Sequence, residues 1–256
     1  MTRTLVAVLT LTALSAQNPV PPPATDCQET AAAINRLLGN DARLRDWAQL
    51  GRYREANATL AAPAAGAARV VFMGDSITDI WQQAQYGFFV ASRPYVDRGI
   101  SGQTTPQMLV RFRPDVIDLR PKAVVILAGT NDIAGNTGPT TDAEIEGNLA
   151  SMAELAKAHG IKVVLASITP TSAYHVGANG VPQTTTRPMA RIEAINAWMQ
   201  KYAADNGHVY LDYFTPMLDA TGVMKADLSR DDLHPTAAGY AIMGPLAEAA
   251  IQKALR

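Results

Sequence analysis

The sequence has one cysteine, four histidines and no block of lysine or arginine, and its 22 basic and 23 acidic residues leave a formal charge of -1. A single thiol excludes an internal disulfide framework and any cysteine-based metal cluster. The balanced charge argues against nucleic acid or an anionic membrane surface as a partner. Charged residues make up only 18% of the chain and apolar ones 48%, which excludes a disordered composition and gives 256 residues enough apolar surface for one sizeable core. No internal repeat is visible. The thiol itself, Cys27, follows Asp26 rather than small residues. It reads as incidental rather than as a lipidation site.

The longest uncharged apolar run is also short. After Arg3, the stretch TLVAVLTLTALSA (4–16) ends in small residues and is too brief to span a bilayer. Residues 1–16 are therefore expected to form a removable export leader, with no stable membrane anchor, so that the mature chain is periplasmic or secreted. A proline-rich spacer follows at 17–27. Residues 28–68 read as a helical extension that packs on the main domain and ends in the low-complexity connector AAPAAGAA (61–68).

From Arg69 onward, short apolar runs alternate with amphipathic ones, the pattern of a parallel sheet covered by helices on both faces. Strands are expected at Val70–Met73, Tyr95–Arg98, Ala123–Leu127, Lys162–Ala166 and His208–Leu211. Helices are expected at Ile80–Ala91, Pro106–Phe112, Asp142–His159, Pro188–Asn206 and Thr236–Leu255. Five strands in this alternation predict an α/β fold, a three-layer doubly wound flavodoxin-like sheet over residues 69–256. Ligands of such sheets bind beyond the carboxyl ends of the strands. Three of those ends are unusual here: Gly74-Asp75-Ser76, Gly99-Ile100-Ser101-Gly102 and Gly129-Thr130-Asn131-Asp132.

A serine placed directly between a strand and a helix presents its hydroxyl and offers its own N–H as an oxyanion donor, but it needs a base to act as a nucleophile. Among the histidines, His159 ends a helix and His208 opens a strand, so both read as structural. His175 lies in the polar loop Thr169–Thr186 with no adjacent carboxylate to orient it. His234 differs, because Asp231 precedes it by three residues across a turn and can reach Nδ1. Asp232 is expected to point elsewhere. The alternative for Asp231 and Asp232 is simple capping of the last helix.

The loop after the first strand lacks both phosphate-binding glycine patterns, and Asp75 would put a negative charge where a phosphate should sit, which argues against a nucleotide- or flavin-binding protein. GDSIT is also not the nucleophile elbow of an α/β-hydrolase. Taken together, Gly74-Asp75-Ser76, GISGQTT (99–105), GTND (129–132) and DLHP (232–235), in that order, resemble the GDSL-type serine esterases, the SGNH hydrolases. Ile77 stands where the name has leucine. The resemblance covers most of the chain from Arg69 and implies Ser76 as nucleophile, His234 as general base and Asp231 as its orienting acid. It further implies an oxyanion hole from the N–H groups of Ser76 and Gly102 and the Asn131 side-chain amide, with no metal or organic cofactor.

The motifs also look like those of the platelet-activating-factor acetylhydrolase branch. With no long apolar lid in the sequence, a short acyl group such as acetyl is the expected substrate part, on a small-molecule or carbohydrate alcohol. Asp75, Tyr174 and His175 are the expected substrate contacts. Lysophospholipase or thioesterase activity, or ligand binding on the same fold without turnover, are the alternatives. Trp81, Tyr86, Phe88 and Phe89 are read as packing rather than as a sugar platform.

Overall fold

The structure is a computed structural model that describes residues 27–175 and 180–256. The expected leader and all of the spacer before Cys27 lie outside the described residues. Two compact units divide the chain at residue 42. What is described of the first unit is the greater part of helix α1 (Cys27–Arg45).

The second unit, residues 43–256, is built on five parallel strands: β1 (Val70–Gly74), β2 (Tyr95–Gly99), β3 (Ala123–Leu127), β4 (Lys162–Ala166) and β5 (Val209–Leu211). Their order across the sheet is β2-β1-β3-β4-β5, the doubly wound arrangement with its switch point between β1 and β3. Register brings Gly74 opposite both Gly99 and Leu127, so the three loops that follow leave from one level. Strands β1, β3 and β4 are buried almost throughout, which is why they read as continuous apolar runs instead of alternating ones.

Successive strand residues feed opposite faces. Val71, Met73, Val124 and Ile126 join a core completed by α4 (Thr105–Asp115), α6 (Asp142–Ala158) and α8 (Met189–Asn206). Val70, Phe72, Val125 and Leu127 join a second core completed by α3 (Ser76–Trp81) and α10 (Ala237–Leu255). Short helices α2 (Arg54–Thr59), α5 (Thr130–Ile133), α7 (Gln183–Thr186) and α9 (Phe214–Met217) lie in the connections. The later half of the expected extension packs against β2 and α4. Tyr53 Oη donates to the Gly99 carbonyl, Asn57 Nδ2 donates to Asp115 Oδ1 at 2.7 Å, and Gln107 Nε2 donates to the Trp47 carbonyl at 2.7 Å.

One expected helix is corrected. Instead of Ile80–Ala91, α3 begins at Ser76 and stops at Trp81, followed by a 3₁₀ turn at Ala84–Tyr86. Gly87 at φ +61° ends that turn, and Phe88 and Phe89 then fold back over β1. Trp81 stacks between Phe88 (4.2 Å, 17°) and Tyr240 of α10 (5.2 Å, 17°). The apolar residues that suggested a longer helix satisfy themselves in this aromatic cluster, so packing overrides helical spacing.

Candidate active site

Asp75 sets where α3 starts. Its Oδ1 accepts from the Ile77 N–H at 2.9 Å, capping the helix so that Ser76 becomes the first helical residue at the carboxyl end of β1. Asp75, expected as a substrate contact, is 1% exposed and uses its carboxylate for this cap, and burial raises its pKa to about 6. A Cβ on Gly99 would stand 2.2 Å from the Asp79 N–H nitrogen, so only glycine lets α3 lie this close to the end of β2. Asp79 uses that proximity, accepting from Ser101 N–H at 3.1 Å and Ser101 Oγ at 2.6 Å.

His234 reaches Ser76 from the other end of the chain. Its Nε2 lies 2.9 Å from Ser76 Oγ, and its Nδ1 lies 2.6 Å from Asp231 Oδ2. Asp231 Oδ1 also accepts from the His234 N–H at 2.8 Å, so the turn between the two residues is closed by the same carboxylate that meets the ring. Partial burial pushes the Asp231 pKa up, but hydrogen bonds from His234 outweigh it and hold the group well below the usual carboxylate range. An ionised carboxylate at Nδ1 fixes the proton there and leaves Nε2 to accept from Ser76.

Gly102 and Asn131 come to the same edge. Gly102 has φ +81°, and a Cβ there would meet nothing closer than 3.9 Å, so its requirement for glycine comes from the left-handed backbone and not from crowding. Asn131 is buried at the start of α5, and its Nδ2 donates to the Gln103 carbonyl at 3.0 Å. Beneath these loops the fully buried Arg111 donates to the carbonyls of Gly74 at 3.0 Å and Arg98 at 2.8 Å, to Gln103 Oε1 at 2.5 Å and to Asp115 at 3.1 Å. One guanidinium thus ties together the strand ends that carry Ser76 and Gly102.

His175 has a partner from far along the chain. No carboxylate is adjacent to it in the sequence, and Asp232 Oδ1, 57 residues on, lies 3.0 Å from its Nδ1. Asp232 is fully buried, adopts φ +66°, and also accepts from Ser172 Oγ at 2.5 Å and from the N–H groups of Tyr174 at 3.2 Å and His175 at 2.6 Å. Tyr174 is half exposed, with its hydroxyl donating to Asp219 at 2.5 Å. Ser76, His234, Asp231, Gly102 and Asn131 therefore gather at one strand edge, while Tyr174 and His175 sit on a loop pinned to the residue after Asp231.

Sequence reading missed Asp79, Arg111 and Arg187. Arg111 had a readable sign: a cation four residues before Asp115 on the apolar face defined by Met108 and Phe112. Arg187, next to Pro188, had none. A cavity of about 460 Å³ opens beside the site, lined by His234, Asp231, Ile80, Tyr86, Arg230 and Pro235. Its size is that of a small-molecule site.

Comparison with known proteins gives a consistent result. The model of the GDSL-like Lipase/Acylhydrolase family matches residues 72–242. A GDSL-like lipase from Bacteroides thetaiotaomicron is 42% identical, with a TM-score of 0.74 over 81% of this chain and 99% of that one. Esterase TesA from Pseudomonas aeruginosa is 30% identical over 143 residues, 56% of this chain. The match spans 62% of TesA, less than two thirds of its length. Axe2, an acetylxylan esterase from Geobacillus stearothermophilus, shares the fold at 20% identity and a TM-score of 0.57, covering 72% of this chain and 93% of Axe2.

Proposed function

The chain belongs to the GDSL-like lipase/acylhydrolase family of ester-hydrolysing enzymes, and from that premise we propose that it is a serine esterase in which Ser76, His234 and Asp231 carry out acyl transfer. The observation that carries this reading is the unbroken chain Ser76 Oγ, His234 Nε2, His234 Nδ1, Asp231 Oδ2, with links of 2.9 Å and 2.6 Å.

His234 takes the Ser76 proton as Oγ attacks the ester carbonyl. The carbonyl π electrons move onto oxygen, and the N–H groups of Ser76 and Gly102 with Asn131 Nδ2 stabilise the anion. Collapse of the tetrahedral adduct expels the alcohol, which takes the proton from His234. Water then attacks the acyl-serine, gives its proton to His234, and releases the acid as Ser76 is reprotonated. Asp231 stays ionised throughout, fixing the tautomer and stabilising the imidazolium.

A short acyl group, acetyl foremost, is the proposed preference, because the sequence supplies no long apolar lid. The neighbouring cavity, lined by His234, is suited to the alcohol that His234 protonates. Export after removal of residues 1–16 is part of the same proposal, and would be seen as an N-terminus beyond residue 16 in the secreted protein.

The test is p-nitrophenyl acetate hydrolysis by the purified protein beside Ser76→Ala, both checked for folding. Activity lost only in the variant supports the mechanism. Equal activity removes Ser76 from it. An acyl series from acetate to laurate then tests chain length, and a maximum at laurate favours a lipase-like or thioesterase-like reading.

A further inference from the structure

A buried cation lies against the two residues that open α5. Arg187, between α7 and α8, is 8% exposed. Its Nε donates to Thr130 Oγ1 at 3.1 Å and its Nη2 to Asn131 Oδ1 at 3.4 Å. Its Nη1 donates to Gln183 Oε1 at 2.5 Å and Thr186 Oγ1 at 3.2 Å, and its carbonyl accepts from Thr171 Oγ1 at 3.3 Å. Among the described residues no carboxylate stands within ion-pair distance of it. A guanidinium held by neutral oxygens in a dry place is a costly arrangement for folding alone.

What the arrangement does is visible at Asn131. A guanidinium has donors and no acceptor, so it can face only the oxygen end of the amide. The other end, Nδ2, donates one hydrogen to the Gln103 carbonyl. The amide is thereby fixed in one of its two orientations, with the second Nδ2 hydrogen left to give. A cation bonded to Oδ1 also draws electron density away from Nδ2, which strengthens the bond that hydrogen can donate.

We propose that Arg187 is a positioning residue for the acyl transfer, locking the Asn131 amide with its free N–H toward the oxyanion and placing a desolvated positive charge behind it. This rests on the reading of Asn131 as an oxyanion donor. The contribution belongs to the transition state, because the ester carbonyl is neutral until Ser76 attacks. It therefore acts on kcat with little effect on KM. Asp75 and Asp231 are the acidic groups whose field reaches the guanidinium, and they oppose the loss of its proton on burial.

The experiment is a double-mutant cycle on p-nitrophenyl acetate turnover with Arg187→Gln, Asn131→Ala and the pair, with Ser76→Ala as the reference for the mechanism. The expected result is a fall of kcat of about 10-fold or more in Arg187→Gln with KM nearly constant, shrinking to about threefold or less when Asn131 is already alanine. Equal losses in the two backgrounds would mean that Arg187 does not act through Asn131, and would overturn the proposal while leaving the esterase reading intact. Unchanged kcat in Arg187→Gln would overturn it too. If Asn131→Ala is fully active while Ser76→Ala is dead, the oxyanion assignment and the Arg187 proposal fail together and the nucleophile stands. Arg187→Lys, which keeps the charge but not the planar fork, supplies the same cycle if Arg187→Gln does not fold. A second readout is the affinity for a small boronic acid, a tetrahedral mimic, which should weaken in step with kcat.

Discussion

Asp231 and Asp232 are consecutive in the chain, yet each holds a different histidine: Asp231 Oδ2 lies 2.6 Å from His234 Nδ1, and Asp232 Oδ1 lies 3.0 Å from His175 Nδ1. The left-handed backbone at Asp232, φ +66°, is what turns the two side chains apart. The loop expected to meet substrate is therefore anchored one residue from the acid of the proposed triad.

Asp232→Ala should remove the acceptor for Ser172 Oγ, for two N–H groups and for the His175 ring at once. A loss of about 2–3 kcal/mol is expected from urea unfolding, since buried donors are left unsatisfied. KM should rise more than kcat falls, because Tyr174 and His175 lose their seat while the Ser76–His234–Asp231 chain keeps its contacts. A variant with unchanged KM would dissociate this loop from substrate binding.

Asn131→Ala is expected to cut kcat by about 10²–10³, the effect of removing one oxyanion donor, with a near-constant KM. Steady-state kinetics with thermal melting on the same preparation checks it. Normal turnover in a folded variant would take Asn131 out of the mechanism.

Asp97 gives a pH prediction. Its Oδ1 accepts from the Gly99 N–H at 2.9 Å, but burial dominates and raises its pKa from 3.8 to about 7. The folded state then binds more protons than the unfolded state across pH 4 to 7, so this group's contribution makes stability fall as pH rises through that window. Asp97→Asn, which cannot ionise, should have a flatter stability profile between pH 4 and 7 than the parent. Identical slopes in urea unfolding at a series of pH values would contradict this.

Tyr240 Oη donates to the Ile77 carbonyl at 2.8 Å while its ring stacks on Trp81. Tyr240→Phe should cost about 1 kcal/mol by removing that buried hydrogen bond. Trp81→Ala should cost about 3–5 kcal/mol by opening the aromatic cluster. Calorimetric melting of the two variants orders these effects, and a larger loss in Tyr240→Phe would invert the account.

The sheet was legible because β1, β3 and β4 are nearly continuous apolar runs, and the observed bounds of all five strands differ from the expected ones by a residue at most. Helices α6, α8 and α10 were legible for a similar reason, with acidic, threonine or glycine signals at their ends. The segment after Trp81 was not, because Phe88 and Phe89 are set by tertiary contacts with Phe72 of β1 rather than by helical spacing. At the site, motif residues at strand ends could be read one by one, whereas Arg187 and Asp232 gain their meaning only from partners 56 or more residues away. The φ of Asp232 leaves no local mark either, since aspartate there looks like a second helix cap.

Ser76 and His234 are 158 residues apart, one just after the first strand and the other just before the last helix. No partial fold ending before His234 contains the pair, and closing so long a loop is among the slower events of folding. Recovery of ester-hydrolysing turnover after dilution from denaturant would accordingly lag behind recovery of secondary structure, making catalysis a clock for the final docking of the segment that carries His234.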